Sequence, residues 1–163
     1  PIPGVDGPQV VTALDVFGHE DDLPGEVVII GGGLVGCELS LHLSRHGVRS
    51  TVVEMGPALA PDSVMMERTM TLHLMEKDPN IQTRTGLRCT GITAQGITGT
   101  DQEGRTVSLP AQKVILASGM RPLARCRDSF WGLAHDVVAV GDCQTVRNIH
   151  HAVFTGYSAA LML

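Results

Sequence analysis

The stretch VVIIGGGLVG, from Val27 to Gly36, joins two hydrophobic patterns at a run of glycines. Before the glycines, residues 26–30 form a β-branched run that is typical of a strand buried on both faces of a parallel sheet. After them, apolar residues recur at helical spacing over residues 34–46, and Gly47 follows, as glycine does just past the end of many helices. The stretch therefore predicts a strand, a tight turn and a helix in direct succession.

The glycines of this turn fit G-x-G-x-x-G, which indicates dinucleotide binding when it follows a strand and opens a helix. Gly31 allows the tight turn, Gly33 lets the backbone approach a pyrophosphate, and Gly36 lets the helix pack closely on the strand. The helix N-terminus offers N–H groups and a positive dipole end to the phosphates. The predicted binding residues are Gly31, Gly32, Gly33, Leu34, Val35 and Gly36. The alternative is a glycine-rich turn with a purely structural role.

An acidic residue closes the next predicted strand, over residues 48–54. Glu54 lies 18 residues after Gly36, where a carboxylate accepts hydrogen bonds from both hydroxyls of an adenosine ribose. This favours NAD(H) over NADP(H), because a 2'-phosphate would meet like charge unless Arg49 or Arg68 approaches it. The alternative is an exposed acid at the end of a strand.

Composition excludes several classes of protein. With 163 residues, 43% of them apolar and 18% charged, the chain has room for one domain or one domain with an appendage and is not a disordered tail. A net charge of -5 disfavours nucleic acid as a partner. We also expect no membrane span and no secretory signal, since no apolar run approaches about 20 residues. Four scattered cysteines without a C-x-x-C pair favour a reduced, cytoplasmic protein without a zinc site.

The remaining sequence predicts an α/β fold, with a Rossmann-like parallel sheet that has helices on both faces. Residues 1–25 are rich in proline and glycine and predict an extended linker. A helix capped by Asp62 or Ser63 should run to Lys77, with Met66, Met70 and Leu74 in the core. The other predicted elements are a small antiparallel β-meander over 81–109 with a hairpin tip at 101–104, strands over 113–117 and 137–140, and a helix over 149–163.

Four segments resemble the FAD/NAD-linked pyridine nucleotide oxidoreductases: residues 27–38, 51–54, 117–122 (ASGMRP) and 138–143 (VAVGDC). The chain is most similar to the C-terminal part of the old-yellow-enzyme-like NADH:flavin oxidoreductases, the group of 2,4-dienoyl-CoA reductase, 2-enoate reductase and trimethylamine dehydrogenase. The resemblance extends from Ile2 to the end of the chain. It implies an NAD-binding domain inserted into a FAD-binding domain.

The resemblance also implies a division of the chain and further site residues. Residues 1–25 would be a linker from a missing flavin half, 26–122 the NAD-binding domain, and 123–163 a strand-helix remnant of the flavin domain. Glu38 is similar to the acid that many relatives place beside the nicotinamide, and Asp142 to the aspartate that holds the ribityl or pyrophosphate part of FAD. Gly119 and Gly141 belong to the same matching segments. Without the family, Glu38 is an ordinary acid of a first helical turn and Asp142 a turn or cap residue.

The sequence departs from this family because it has a single G-x-G-x-x-G, whereas a flavin domain needs its own. It also lacks the cysteine-rich iron-sulfur motif and the FMN barrel of the larger relatives. We therefore expect the flavin half to lie upstream or on another chain, together with any FMN or iron-sulfur domain, and the fragment alone to be inactive. The expected function is delivery of hydride from NADH to a flavin. The rival is a non-catalytic module that holds the nucleotide structurally. The sequence identifies neither a catalytic residue nor a final electron acceptor.

Two weaker features complete the analysis. His42 and His46 lie four residues apart on one helical face, but the spacing places no third metal ligand, so no metal site is predicted. Cys37 is expected to make an apolar contact between helix and sheet. The apolar face of the last helix, with Val153, Ala160 and Leu161, would pack back on the NAD domain, pair with a second copy in a homodimer, or stay exposed.

Overall fold

Two sheets of different type organise the chain. The computed structural model describes residues 2–162; Pro1 of the predicted linker and Leu163 of the last predicted helix lie outside it. In this range the strands are β1 (Val10–Thr12), β2 (Glu26–Ile30), β3 (Arg49–Val53), β4 (Ile81–Arg84), β5 (Arg88–Thr93), β6 (Gly96–Thr100), β7 (Thr106–Pro110) and β8 (Lys113–Leu116). Five strands pair in parallel in the order β1-β8-β2-β3-β4, and β5, β6 and β7 form an antiparallel sheet.

The helices connect these strands or follow them. They are α1 (Ala13–Val16), α2 (Leu34–Arg45), α3 (Met65–Lys77), α4 (Ala124–Asp128) and α5 (Ile149–Ala160), with 3-10 turns at Glu20–Asp22 and Gly141–Cys143. The chain forms two compact units, one ending at Ser118 and one beginning at Gly119. This division falls four residues before the predicted boundary at residue 122.

The two faces of the parallel sheet are covered by different layers. Val27, Ile29, Val52 and Ile115 pack with apolar residues of α1, α2 and α3. The opposite face packs mainly against the antiparallel sheet. The predicted α/β fold is confirmed, but an antiparallel sheet stands where a second layer of helices was expected. A strand that is apolar on both sides indicates two covering layers without saying what they are.

The predicted linker belongs to this packed unit. Strand β1 pairs in parallel with β8 at the edge of the sheet, and Ala13 and Val16 of α1 are buried. The prediction of an unpacked segment over residues 1–25 is wrong for these residues. Proline and glycine mark the turns around them, but the three-residue strand is too short to show a hydrophobic period.

Helix α3 buries a different face from the predicted one. Met66 and Met70 are 75% and 62% exposed and Leu74 is also exposed, whereas Met75 is only 3% exposed. At about 100° per residue, Thr71 and Met75 lie about 100° or more around the helix from Met66 and Met70. The methionines at i and i+4 therefore form a stripe directed away from the core. The predicted cap is also wrong, since Val64 is the N-cap residue and makes no side-chain cap bond.

The remaining predictions of elements are mostly confirmed. Strands β2, β3 and β8, helix α2 and the β-meander form, although β4 joins the parallel sheet instead of the meander. In the second unit, α5 begins at Ile149 as predicted and ends at Ala160. The strand predicted over 137–140 is absent: these residues have no strand partner within 2–162. None of the helices in this range is long and apolar enough to cross a lipid bilayer.

Candidate nucleotide-binding site

The site is built at the carboxyl end of β2, where the strand passes directly into α2. The N–H of Gly31 donates to the carbonyl of Val53 at 2.9 Å, so the turn begins as an extension of the sheet. Gly33 is the N-cap residue of α2. The predicted succession of strand, turn and helix is therefore present. The turn lies at the carboxyl ends of the parallel strands, where α/β proteins bind ligands.

Each glycine of the fingerprint has a different steric environment. Gly31 has a φ of +114°, and a Cβ there would overlap the backbone of Ala117. A Cβ on Gly36 would overlap the carbonyl oxygen of Gly31, which explains the close packing of helix on turn. At Gly33 a Cβ would meet no protein atom within 4 Å. Gly33 therefore borders open space, as an approaching pyrophosphate requires.

The start of α2 presents a row of backbone donors to this space. Cys37 is the first helical residue whose N–H reaches an acceptor in the turn, the Gly33 carbonyl at 3.1 Å. An α-helix leaves the N–H groups before this point without intrahelical acceptors. They belong to Gly33, Leu34, Val35 and Gly36. These donors and the positive end of the helix dipole favour an anionic group.

Glu54 is fixed against the same turn. Its Oε2 accepts a hydrogen bond from the N–H of Gly32 at 2.8 Å, and its Oε1 accepts one from the N–H of Gly56 at 2.6 Å. The carboxylate is half-buried and directly follows β3. The structure thus brings Glu54 and the glycine turn together, as the sequence predicts. A hydrogen bond from Gly32 also joins the carboxylate directly to the turn.

Sequence analysis missed the loop that follows Glu54. The N–H of Ala60 donates to the carbonyl of Gly32 at 2.7 Å, and Ala60 has a φ of +45°. Leu59 also packs beside Gly32, where a Cβ would overlap its side chain. The only signal in the sequence was the turn-forming pair Gly56-Pro57 just past the strand. Residues 59 and 60 of this loop therefore contact Gly32, although they are not part of the G-x-G-x-x-G motif.

The two arginines considered for a 2'-phosphate lie in different places. Arg49 begins β3 and pairs with Glu26 at 3.5 Å, so it lies at the end of the strand opposite to Glu54. Nε of Arg68, on α3, donates to the carbonyl of Leu59 at 2.8 Å and therefore lies beside the loop. Arg68 is the arginine of this pair that lies near the turn.

Two residues of α2 differ in exposure. Cys37 is buried, its Sγ lies 3.5 Å from the carbonyl oxygen of Gly32, and burial raises the pKa of its thiol to about 11. Cys37 also belongs to the hydrophobic core that α2 shares with the parallel sheet, which confirms the predicted apolar contact. Glu38 is exposed in the second turn of α2 rather than the first, and partial desolvation together with the charge of Glu67 raises its pKa.

The remaining predicted residues lie in the second unit. Gly119 has a φ of +96°, with open space at its Cβ position. Gly141 has a φ of +56° and donates its N–H to Oγ1 of Thr155 on α5 at 2.9 Å. Asp142 is exposed, and its Oδ1 accepts a hydrogen bond from the N–H of Arg147 at 3.3 Å. The turn at 141–143 is therefore attached to α5.

Several known proteins are similar to this chain in sequence. Bilirubin reductase of Mediterraneibacter gnavus (strain CC55_001C) is 38% identical over 164 residues, covering 100% of this chain and 25% of that protein. NADH oxidase of Thermoanaerobacter brockii is 35% identical over 140 residues, covering 85% of this chain and 21% of that protein. The chain thus spans about a quarter of the length of these relatives.

Solved structures show the same architecture. A 2-naphthoyl-CoA reductase in complex with 2-naphthoyl-CoA superposes with a TM-score of 0.89 at 25% identity, covering 99% of this chain and 24% of that one. Histamine dehydrogenase from Rhizobium sp. 4-9 has a TM-score of 0.81 at 16% identity, covering 100% of this chain and 27% of that one, which shows the fold alone.

A family profile covers almost the whole chain. The profile described as pyridine nucleotide-disulphide oxidoreductase matches residues 1–156, which include the glycine turn, Glu54 and the turn at 141–143. Proteins of this family bind NAD(H) and FAD. With this match and the fingerprint geometry of the turn, the chain belongs to the pyridine nucleotide-disulphide oxidoreductase family.

Proposed function

We propose that this chain is the NAD(H)-binding module of a flavin-dependent oxidoreductase and presents NADH for hydride transfer to a flavin. The observation that carries the proposal is the glycine turn with Glu54 bonded to it. Gly32 and Gly56 donate to the two carboxylate oxygens at 2.8 and 2.6 Å. The proposed donors for a pyrophosphate and the proposed acceptor for a ribose are thus joined by hydrogen bonds.

The turn fits the diphosphate of a dinucleotide. The N–H groups of Gly33, Leu34, Val35 and Gly36 are available to phosphate oxygens, and the space at the Gly33 Cβ position is open. A side chain at Gly33 would enter this space. The backbone of the turn therefore binds and orients the nucleotide without a charged side chain.

Glu54 fits the adenosine ribose of NAD(H). Each carboxylate oxygen accepts one backbone hydrogen bond and retains capacity to accept another from a ribose hydroxyl. Its negative charge would repel the 2'-phosphate of NADP(H). Arg68, whose Nε donates a hydrogen bond to the Leu59 carbonyl, is the positive group that would reduce this repulsion. We infer a preference for NAD(H) over NADP(H).

The nicotinamide and flavin ends of the site are assigned to other residues. Glu38, two residues beyond Gly36, would lie beside the nicotinamide, and Gly119 would be a further cofactor-binding residue. Gly141 and Asp142 would hold the ribityl or pyrophosphate part of FAD. FAD, when bound, accepts a hydride and passes the electrons to a second centre. The attachment of Gly141 to Thr155 supports this assignment, because it fixes the turn that carries Asp142.

The parent protein is proposed to be an old-yellow-enzyme-like NADH:flavin oxidoreductase. The relatives are about four times as long as this chain, which leaves room for a flavin half with FMN and iron-sulfur domains. The exposed apolar residues of α5, among them Ile149, Val153 and Phe154, support a contact with those domains or with a second copy.

The visible absorbance spectrum of the full-length protein, with and without NADH under anaerobic conditions, tests this function. We expect a flavin band that bleaches when NADH is added, and less bleaching with an equal concentration of NADPH. A colourless protein, or a flavin band unchanged by NADH, would instead support the rival function of a module that holds the nucleotide structurally.

A further inference from the structure

Three potential metal ligands converge at the end of α2 that is remote from the glycine turn. Glu20, His42 and His46 each offer one ligand atom, and these atoms lie within 4.8 Å of one another. Nε2 of His42 is 2.7 Å from Oε1 of Glu20, and the two imidazole ring centroids are 4.8 Å apart. The sequence placed the two histidines on one helical face, and the fold supplies the third group.

The fold orients these side chains before any ion binds. His42 and His46 are four residues apart, so they lie one above the other on the helix. Glu20 comes from the 3-10 turn Glu20–Asp22, and its Oε1 also accepts the N–H of Gly18 at 3.1 Å. The ring of Phe17 lies 5.3 Å from that of His42. Such contacts around metal ligands commonly fix their orientation.

We propose that Glu20, His42 and His46 bind a divalent transition-metal ion of the zinc type. Two imidazole nitrogens and one carboxylate oxygen are a donor set that zinc accepts, with a fourth position left for water. At bond lengths of about 2.0 to 2.2 Å, tetrahedral ligand atoms lie about 3.4 Å apart. The 2.7 Å between Nε2 of His42 and Oε1 of Glu20 would lengthen toward this value as the ion replaces the proton between them, and the exposed His46 ring would turn toward the ion.

The ion would act as a structural clamp. Helix α2 has 12 residues and is therefore about 18 Å long, which separates the cluster from the nucleotide at its other end. An ion bound here would link the turn at 20–22 to α2. It would thereby hold the N-terminal segment, which contains β1 and α1, against this helix. Because the unfolded chain does not hold these three groups together, binding stabilises the folded state.

The test is a zinc titration of the chain after removal of any affinity tag and treatment with a chelator. Calorimetry in a non-coordinating buffer should show one saturable site, and zinc should raise the melting temperature. His46→Ala and Glu20→Gln should each weaken zinc binding by about tenfold or more and reduce the zinc-dependent rise in melting temperature accordingly. His73→Ala, which removes an exposed histidine of α3, is the matched control and should bind zinc as the unaltered chain does.

His46 is the decisive position, because its ring is exposed and its loss should leave the fold intact, which circular dichroism verifies. If Glu20 and His42 form only a hydrogen bond and His46 binds no ion, His46→Ala will change neither zinc affinity nor the zinc-dependent melting temperature. That result, or the absence of saturable zinc binding by the unaltered chain, would overturn the proposal. Zinc held elsewhere, for example by exposed Cys126 or Cys143, would persist in His46→Ala and would also contradict it.

Discussion

The carboxylate of Glu54 binds two backbone N–H groups of its surroundings and, in the proposed complex, two ribose hydroxyls. Glu54→Ala should lower NADH affinity by about tenfold or more, since hydrogen bonds to a charged group contribute roughly 1.5 to 3 kcal/mol. It should also narrow the difference between NADH and NADPH, because the charge that opposes a 2'-phosphate is gone. Calorimetric titration with both nucleotides measures these effects.

Glu26→Ala is the matched control for this prediction. Glu26 is an exposed acid at the opposite end of the parallel sheet and pairs with Arg49, so its removal should leave NADH affinity unchanged. A melting curve of Glu54→Ala separates lost ribose contacts from a loosened turn. Equal affinity of the unaltered chain for NADH and NADPH would refute the selectivity assigned to Glu54.

Glu38 provides a prediction of pH dependence. Its pKa is raised in the folded chain by partial desolvation and by the charge of Glu67. Between pH 4.5 and the raised pKa, the folded state therefore binds more protons than the unfolded state. The free energy of unfolding falls as the pH rises through this range. Glu38→Gln should raise the free energy of unfolding at pH 7 by about 0.5 kcal/mol or less, because the site is exposed.

At about pH 3 the advantage of Glu38→Gln should disappear, since the carboxyl group is then protonated in both states. Urea unfolding at the two pH values measures the difference. An equal gain at pH 3 and pH 7 would show that the effect of the substitution comes from something other than charge.

At the level of elements, α3 allows a comparison of two methionines on one helix. Met75 is buried among residues of the core, whereas Met70 is exposed on the other side. Met75→Ala should lower the free energy of unfolding by about 2 to 5 kcal/mol, the usual cost of truncating a core side chain. Met70→Ala should change it by about 0.5 kcal/mol or less. Denaturant unfolding of both variants measures this, and equal losses would contradict the packing of α3.

Elements that follow from local sequence were predictable, and those that depend on a distant partner were not. Strand β2, the glycine turn and α2 each carry their own pattern, so their succession could be predicted from residues 26–47. Strand β1 exists because β8 lies beside it, more than 100 residues away in sequence. The buried face of α3 depends on its packing against α2, and residues 137–140 lack a partner strand within the described chain.

The candidate site shows the same division. The fingerprint spacing predicted that Gly31, Gly33 and Gly36 lie in one turn between strand and helix and that Glu54 ends the neighbouring strand, because these positions follow from local backbone geometry. The loop that fixes Gly32 through Ala60 and the carboxylate beside His42 could not be predicted. Both contacts join segments whose proximity is set by tertiary packing.

At the level of the whole molecule, we predict that the 163-residue chain alone neither retains FAD nor turns over NADH. A flavin dinucleotide needs a helix N-terminus for its pyrophosphate, and the single fingerprint turn is assigned to NAD(H). Asp142 and α5 would reach one side of a flavin only. The measurement is bound flavin after desalting from added FAD, together with NADH oxidation by an artificial acceptor. Stoichiometric flavin with steady turnover would instead make the chain a complete small flavoenzyme.

The binding of NADH at the glycine turn is tested most directly by calorimetric titration of the unaltered chain and of Gly33→Val. A Cβ at Gly33 meets no protein atom within 4 Å, so the variant should fold with an unchanged melting temperature. Its side chain would occupy the space that the pyrophosphate needs. We predict saturable binding of NADH to the unaltered chain and none to the variant. Unchanged NADH affinity in a folded Gly33→Val chain would contradict the assignment of this turn as the nucleotide site.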